Sequence, residues 1–380
     1  MLYLFSFYIQ NRHTTGTQLS FSNLIIFFFS HHKLKKGVLC LKQIIIASYS
    51  FIAAVIGAGF ASGQEIMCYF VRFGKLGFPG IVIFAAVFAV FSFSVMCACK
   101  KLGILTFDGF LDIFPHSALR NTIKYSIGIF AFAVYAVMIS AAGGIGAMIT
   151  PLSQPLCALI CAIFCALLLC RGADGVFNIN GILGVILTVG IIACCMYILR
   201  YREHHAFSQA VSALSDSYIY SGYNLISLTP VMAVLGSRLG SGRAAAAVSG
   251  LSAAALFVMT ALMYGILSIY AHKVDLGEFP MLTLAYRQNS ALGAFYYVML
   301  AGAILTTLLS SGGSIAESFG FDKKPLPVFA VTAIAYLLSG AGFGRLVNTA
   351  YRFCGIAGAF LLTIITIFCI RAIFKAEKEK

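Results

Sequence analysis

Long apolar runs recur along nearly the whole chain, separated by short polar connections, and they divide into ten candidate membrane spans. The first five cover residues 43–73, 77–99, 123–149, 156–170 and 176–199; the second five cover 213–235, 244–271, 292–314, 326–339 and 346–374. The fourth and ninth are short and borrow residues from their flanks to cross. What remains between the runs leaves no room for a sizeable soluble domain.

Two of these segments break the pattern. In the first, Ile44 to Ile56 runs into Gly57-Ala58-Gly59-Phe60-Ala61-Ser62-Gly63-Gln64-Glu65. Three glycines so close together weaken a helix, and in lipid the freed backbone groups need protein or a polar cavity to meet them. The same spacing, Gly59 to Gly63, also serves as a small-xxx-small helix contact. Gln64 and Glu65 tip the balance, because a carboxylate at bilayer depth costs about 2.5–3.5 kcal/mol on insertion scales and calls for a wet cavity, a partner or the headgroup region. In the sixth segment, Tyr220-Ser221-Gly222-Tyr223-Asn224 interrupts an apolar run and Pro230 follows. That cluster reads either as a second break or as interhelical hydrogen bonding.

The eighth segment carries Thr306, Thr307, Ser310, Ser311 and Ser314 at three- and four-residue spacing on one helix face. Hydroxyl oxygens suit a hard cation. They also bond back to their own helix, the commoner use in membrane helices.

Composition fits this division. Of 380 residues, 61% are apolar and 10% charged, with a mean hydropathy of +0.95, too little polarity to coat a water-soluble domain. The formal charge of +14 would suggest nucleic acid in a soluble protein, but here the basic residues sit at the ends of the runs. With the amino end in the cytoplasm, eighteen of the 26 Lys and Arg fall on cytoplasmic segments and eight on the other side. Both termini are therefore expected in the cytoplasm, for a multi-pass protein whose partner is the lipid bilayer, not nucleic acid. Cys157, Cys161 and Cys165 form a stripe that reads as packing ahead of metal binding. No histidine sits at the centre of a run and no paired carboxylates occur within one, which argues against an integral membrane enzyme.

Residues 1–42 differ in character, with a short apolar patch followed by His31, His32, Lys33, Lys35 and Lys36. The basic cluster follows the patch, the reverse of a signal peptide. The segment reads as an extension, from an upstream translation start or as a disordered leader. Residues 375–380 read as a cytoplasmic tail.

The two irregular runs are each the first of five. Halves with an odd number of spans cross the membrane in opposite directions, so a repeat relating 43–201 to 213–374 is inverted. Paired discontinuous helices at equivalent places in inverted halves point to a solute site at the midplane.

The decapeptide Ile56 to Glu65, with Tyr223-Asn224 in the sixth run, resembles the YkvI-like family of bacterial membrane proteins, which is similar to the amino acid–polyamine–cation superfamily. The resemblance implies an all-α LeuT fold, five plus five helices with helices 1 and 6 discontinuous, and a secondary transporter working by alternating access. It implies a solute site at Gly57, Ala58, Gly59, Ser62, Gly63, Ser221, Gly222, Tyr223 and Asn224, with Tyr135 of helix 3 lining the path. It implies a coupling-ion site for sodium at Thr306, Thr307 and Ser310, with Glu65 as the protonatable alternative. No cofactor beyond a bound sodium ion is expected. The default solute is an amino acid or related zwitterion. The alternative is a ligand-sensing receptor subunit of the same fold that performs no net transport.

Overall fold

The computed structural model describes residues 36–171, 176–199, 213–271, 275–320 and 324–378. Most of the amino-terminal extension, 1–35, lies outside them. The described residues are mostly helical, with no strand among them. The first expected span is four pieces: α1 (Lys36–Val55), α2 (Ala58–Ser62), α3 (Gln64–Tyr69) and a 3-10 turn, Val71–Phe73. Next come α4 (Gly77–Leu102), a connecting α5 (Phe107–Leu111), α6 (Ser117–Ile149), α7 (Gln154–Arg171) and α8 (Val176–Leu199). The second half opens with α9 (Ala213–Ser227) and α10 (Thr229–Arg238), followed by α11 (Gly242–Tyr270) and a connecting α12 (Pro280–Gln288). It closes with α13 (Ser290–Phe319), α14 (Pro325–Ser339) and α15 (Phe343–Lys378).

Five of these helices, α4, α6, α11, α13 and α15, are long and apolar enough to cross a membrane, and the pair α9 and α10 passes the same criterion as one bent span. The other expected spans coincide with shorter apolar helices or with the broken first segment. Local chemistry sets many of the ends. Gly103, in the left-handed region at φ 68°, closes α4 after Lys100 and Lys101, whose charges favour a helix carboxyl end. Ser241 accepts from the Ala244 amide at 3.1 Å and caps α11.

The packing is nearly unchanged when the two halves are exchanged. α1 packs on α8 and α11, while its counterpart α9 packs on α15 and α4. α8 packs on α13, and α15 correspondingly on α6. The pairs α4 with α11, α6 with α13 and α7 with α14 map onto themselves. Such a pattern follows from an internal repeat with one helix of each pair in each half.

Because lipid is as apolar as the side chains, helices here are held by close packing rather than by burial from water. Gly222 of α9 shows it: a methyl there would fall on the Ala359 amide of α15 and 2.6 Å from the Gly355 carbonyl. Large apolar side chains such as Leu326 and Phe353 are 84% and 76% exposed, as the outside of a helix bundle packed in lipid allows.

Candidate functional site

The first break is a double one. Gly57 is extended (φ −79°, ψ 174°) between α1 and α2, and Gly63, at φ 83°, is left-handed between α2 and α3. A side chain at Gly63 would be strained there and would also meet Met281 Cγ at 2.8 Å. Other groups take up part of the freed backbone. Tyr296 of α13 donates to the Ala61 carbonyl at 2.5 Å, and Ser62 donates to the Gly59 carbonyl at 2.8 Å while accepting from the Gln64 amide at 3.2 Å.

The left-handed residue also aims Glu65. In an unbroken helix, residues six apart stand roughly 120° apart around the axis, so Glu65 would point away from Gly59. With Gly63 between them, the carboxylate folds back directly over Gly59, where any methyl group would overlap it. Gly59 is therefore a place made for Glu65, a correction to its expected use in bringing a solute close to the backbone. Glu65 is 3% exposed, and its Oε2 accepts a 2.8 Å hydrogen bond from the Tyr220 hydroxyl.

The sixth span needs a correction as well. Tyr220 to Asn224 is regular helix, and the interruption lies at Leu228, where α9 and α10 meet at 61°. Pro230, in the first turn of α10, has no amide hydrogen to continue the ladder. The polar side chains before it bond locally: Ser221 to the Ser217 carbonyl at 2.9 Å, and Asn224 to the Tyr220 carbonyl at 3.1 Å. Gly222 faces α15, as described above. Tyr223 stacks on Tyr351 of α15 with ring centroids 4.2 Å apart.

Helix α13 does reach the break. Thr307 Oγ1 lies 3.7 Å from where a Gly57 Cβ would stand, so the hydroxyl face and the unwound backbone adjoin. The Thr306 and Thr307 hydroxyls donate to carbonyls of their own helix, Thr307 to Ala303 at 2.7 Å and Thr306 to Gly302 at 3.0 Å. Their oxygen lone pairs stay available to a cation. Ser310 lies one turn further along, and Ala58 is buried within α2. Tyr135 is not brought to this place. Its hydroxyl lies 3.1 Å from that of Thr332 on α14, and its ring edge is 3.3 Å from where a Gly312 Cβ would stand.

One buried charge cluster lies outside the expected site residues. Asp216, near the start of α9, is buried and holds two arginines, Arg72 of the 3-10 turn and Arg352 of α15, the latter at 3.1 Å. Its signal was present as a second acid at the head of an apolar run, beside arginines that the charge count had placed on the same side of the membrane. Among the described residues no cluster of His, Cys, Asp and Glu suited to a metal ion occurs.

Halves that exchange, a first helix broken at Gly57 and a sixth bent at Leu228 define a LeuT-like membrane fold. No family model matches the chain. It is similar to the membrane protein YkvI of Bacillus subtilis, 24% identical over 327 residues, covering 81% of this chain and 91% of that protein. It is also similar to the Bacillus subtilis protein YyaD, at 23% identity over 345 residues covering 85% and 96%. Among solved structures it resembles a substrate-bound, outward-open Na+-coupled sialic acid symporter, with TM-score 0.57, 13% identity and coverage of 93% of this chain and 84% of that one. It resembles a manganese transporter of Eremococcus coleocola with TM-score 0.57, 14% identity and coverage of 91% and 90%. These findings support the YkvI-like, LeuT-fold resemblance; at such identities the solved structures speak for the fold alone.

Proposed function

We propose that the chain is a secondary active transporter that moves a small organic solute, an amino acid or related zwitterion, coupled to a cation by alternating access. The observation that carries this reading is the meeting of the Gly57 break with the hydroxyl face of α13, in a fold whose sixth helix also bends. The solute then sits along Gly57, Ala58, Ser62 and Gly63, opposite the α9 residues Ser221, Tyr223 and Asn224. Thr306, Thr307 and Ser310 supply oxygen ligands for sodium, and Glu65 is the group that a proton-coupled cycle would use. The chain resembles a Na+-coupled symporter, and where the family resemblance implies that proton-coupled members place a fifth-helix lysine at the ion's position, the fifth span here contains no lysine.

The test is uptake into proteoliposomes under imposed sodium or proton gradients across an amino acid panel. Gradient-driven accumulation is expected, with sodium stimulation lost in a Thr306→Ala, Thr307→Ala double variant. Absence of gradient-driven uptake for every member overturns the reading. Ligand binding without accumulation, together with an obligate partner protein, would instead mark a sensing receptor subunit.

A further inference from the structure

Away from the two breaks, α6, α7 and α13 enclose a groove of about 340 Å³ that opens on the outside of the bundle. Buried Ala142, Ile145 and Ile304 form its floor, and the exposed side chains of Leu152, Ile160 and Phe164 form its rim.

The walls decide what can occupy it. The hydroxyls that reach the groove are already engaged: Thr150 donates to the Gly146 carbonyl at 2.8 Å, and Tyr297 to the Ile145 carbonyl at 3.0 Å. Cys157 and Cys161 contribute thiols, which pack as small hydrophobes. Among the described residues the buried hydroxyls of Ser48, Tyr69, Ser140 and Thr260 have no partner, but none of them lines the groove, and no charged residue does. An ion or a zwitterion would lose its hydration there without replacement. A water needs about two to four polar partners that these walls do not offer. An apolar chain gives up nothing.

The length of the groove fits such a chain. Along α13 the lining runs from Tyr297 to Leu305, eight steps of the helix or about 12 Å at a rise of about 1.5 Å per residue. One leaflet of the hydrocarbon core, half of about 30 Å, is only slightly deeper. One end of the groove lies at Thr150 and Leu152, in the connection between α6 and α7, where the two helices leave the core. A chain hanging from a headgroup at that level lies lengthwise along all three helices.

We propose that this groove is a binding site for one acyl chain of a membrane phospholipid, drawn from the leaflet on the side of the α6–α7 connection. The site is separate from the solute site and does not depend on the transporter reading. It sets lipid against α13 immediately before Thr306 and Thr307.

The chain contains no tryptophan, so a single introduced one reports on its own surroundings. Phe164→Trp puts the reporter at the groove rim, and Phe353→Trp, the control, puts it on the exposed face of α15; each position is ten residues beyond the first residue of its helix. The full chain, delipidated in detergent, is titrated with a phosphatidylcholine whose acyl chains carry bromine, a contact quencher. Half-quenching of the Phe164→Trp reporter is expected at a lipid-to-protein ratio at least tenfold lower than for Phe353→Trp, and Ala301→Phe, which fills the groove from α13, should abolish the difference. Unbrominated phosphatidylcholine should reverse the quenching, whereas glycerophosphocholine, the same headgroup without chains, should not. Equal half-quenching ratios at the two positions overturn the assignment, as does reversal by glycerophosphocholine or an unchanged difference in folded Ala301→Phe. Weaker quenching at the groove than at the control also overturns it, and would mark a groove covered by protein, such as a second copy of the chain. If Ala301→Phe does not fold, the comparison of the two reporters and the reversal by chain-bearing lipid still decide.

Discussion

Gly59 and Gly222 are both glycines in apolar runs, and their sequence neighbourhoods do not distinguish their jobs. At Gly59 the missing side chain makes room for the Glu65 carboxylate; at Gly222 it makes room for the backbone of α15. The difference is testable because a side chain can be removed and a backbone cannot. Gly59→Ala should destabilise the protein by about 1–3 kcal/mol, the usual cost of overpacking, and Glu65→Ala should relieve most of that, giving a coupling of about 1–2 kcal/mol in a double-mutant cycle. Gly222→Ala should cost at least as much in either background. Thermal unfolding in detergent with the four combinations measures both; additivity at Gly59 would show that its space is not held for Glu65. Glu65 itself stood out in the sequence, since a carboxylate within an apolar run is conspicuous wherever its side chain points. Its direction was not legible, because that depends on the left-handed conformation of Gly63, and glycine adopts either hand with similar ease.

At the scale of elements, the bend of the sixth span shows how local chemistry was misplaced. Serine, asparagine and glycine around position 222 disfavour helix, yet the Ser221 and Asn224 side chains find carbonyls, Gly222 admits the backbone of a neighbouring helix, and the helix runs on. Proline at 230, lacking an amide hydrogen, is what the ladder could not absorb. Asp216 was missed for a related reason: it stands near the head of its run, where charges ordinarily mark loops. It ties α9 to the 3-10 turn ending the first span and to α15, three elements that meet only in the folded chain. Removing a buried acid should cost more than removing either of two part-exposed bases, because one arginine can still compensate the carboxylate. Asp216→Asn is expected to lower stability by about 1–3 kcal/mol, discounted for the solvent that reaches both arginines. Arg72→Gln and Arg352→Gln should each cost less. Equal losses in all three variants, measured by thermal unfolding, would mean that the arginines do not share the load.

For the whole molecule, the run pattern made the all-helical architecture and the division into halves legible, because twenty-residue apolar segments have few alternatives in lipid. The pairing of helices was not, since side chains that face lipid and side chains that face protein are alike in hydropathy. The exchange symmetry of the packing nevertheless bears on a question the sequence raised. If each half has five spans, the connection between α8 and α9 lies on the face opposite both termini, and the Asp216 cluster lies near that connection, away from the cytoplasm. If the second half had an even number, the connection and the carboxyl terminus would share a side. Reporter fusions that are active only in the cytoplasm or only outside it distinguish the two arrangements. A fusion after Lys378 should report cytoplasm, and so should one in the 103–106 segment between α4 and α5. A fusion in the 200–212 connection should report the outer face, consistent with the excess of basic residues on the other side. A cytoplasmic signal from the 200–212 fusion would break the inverted relation, and with it the argument that the breaks at Gly57 and Leu228 face each other across one midplane site.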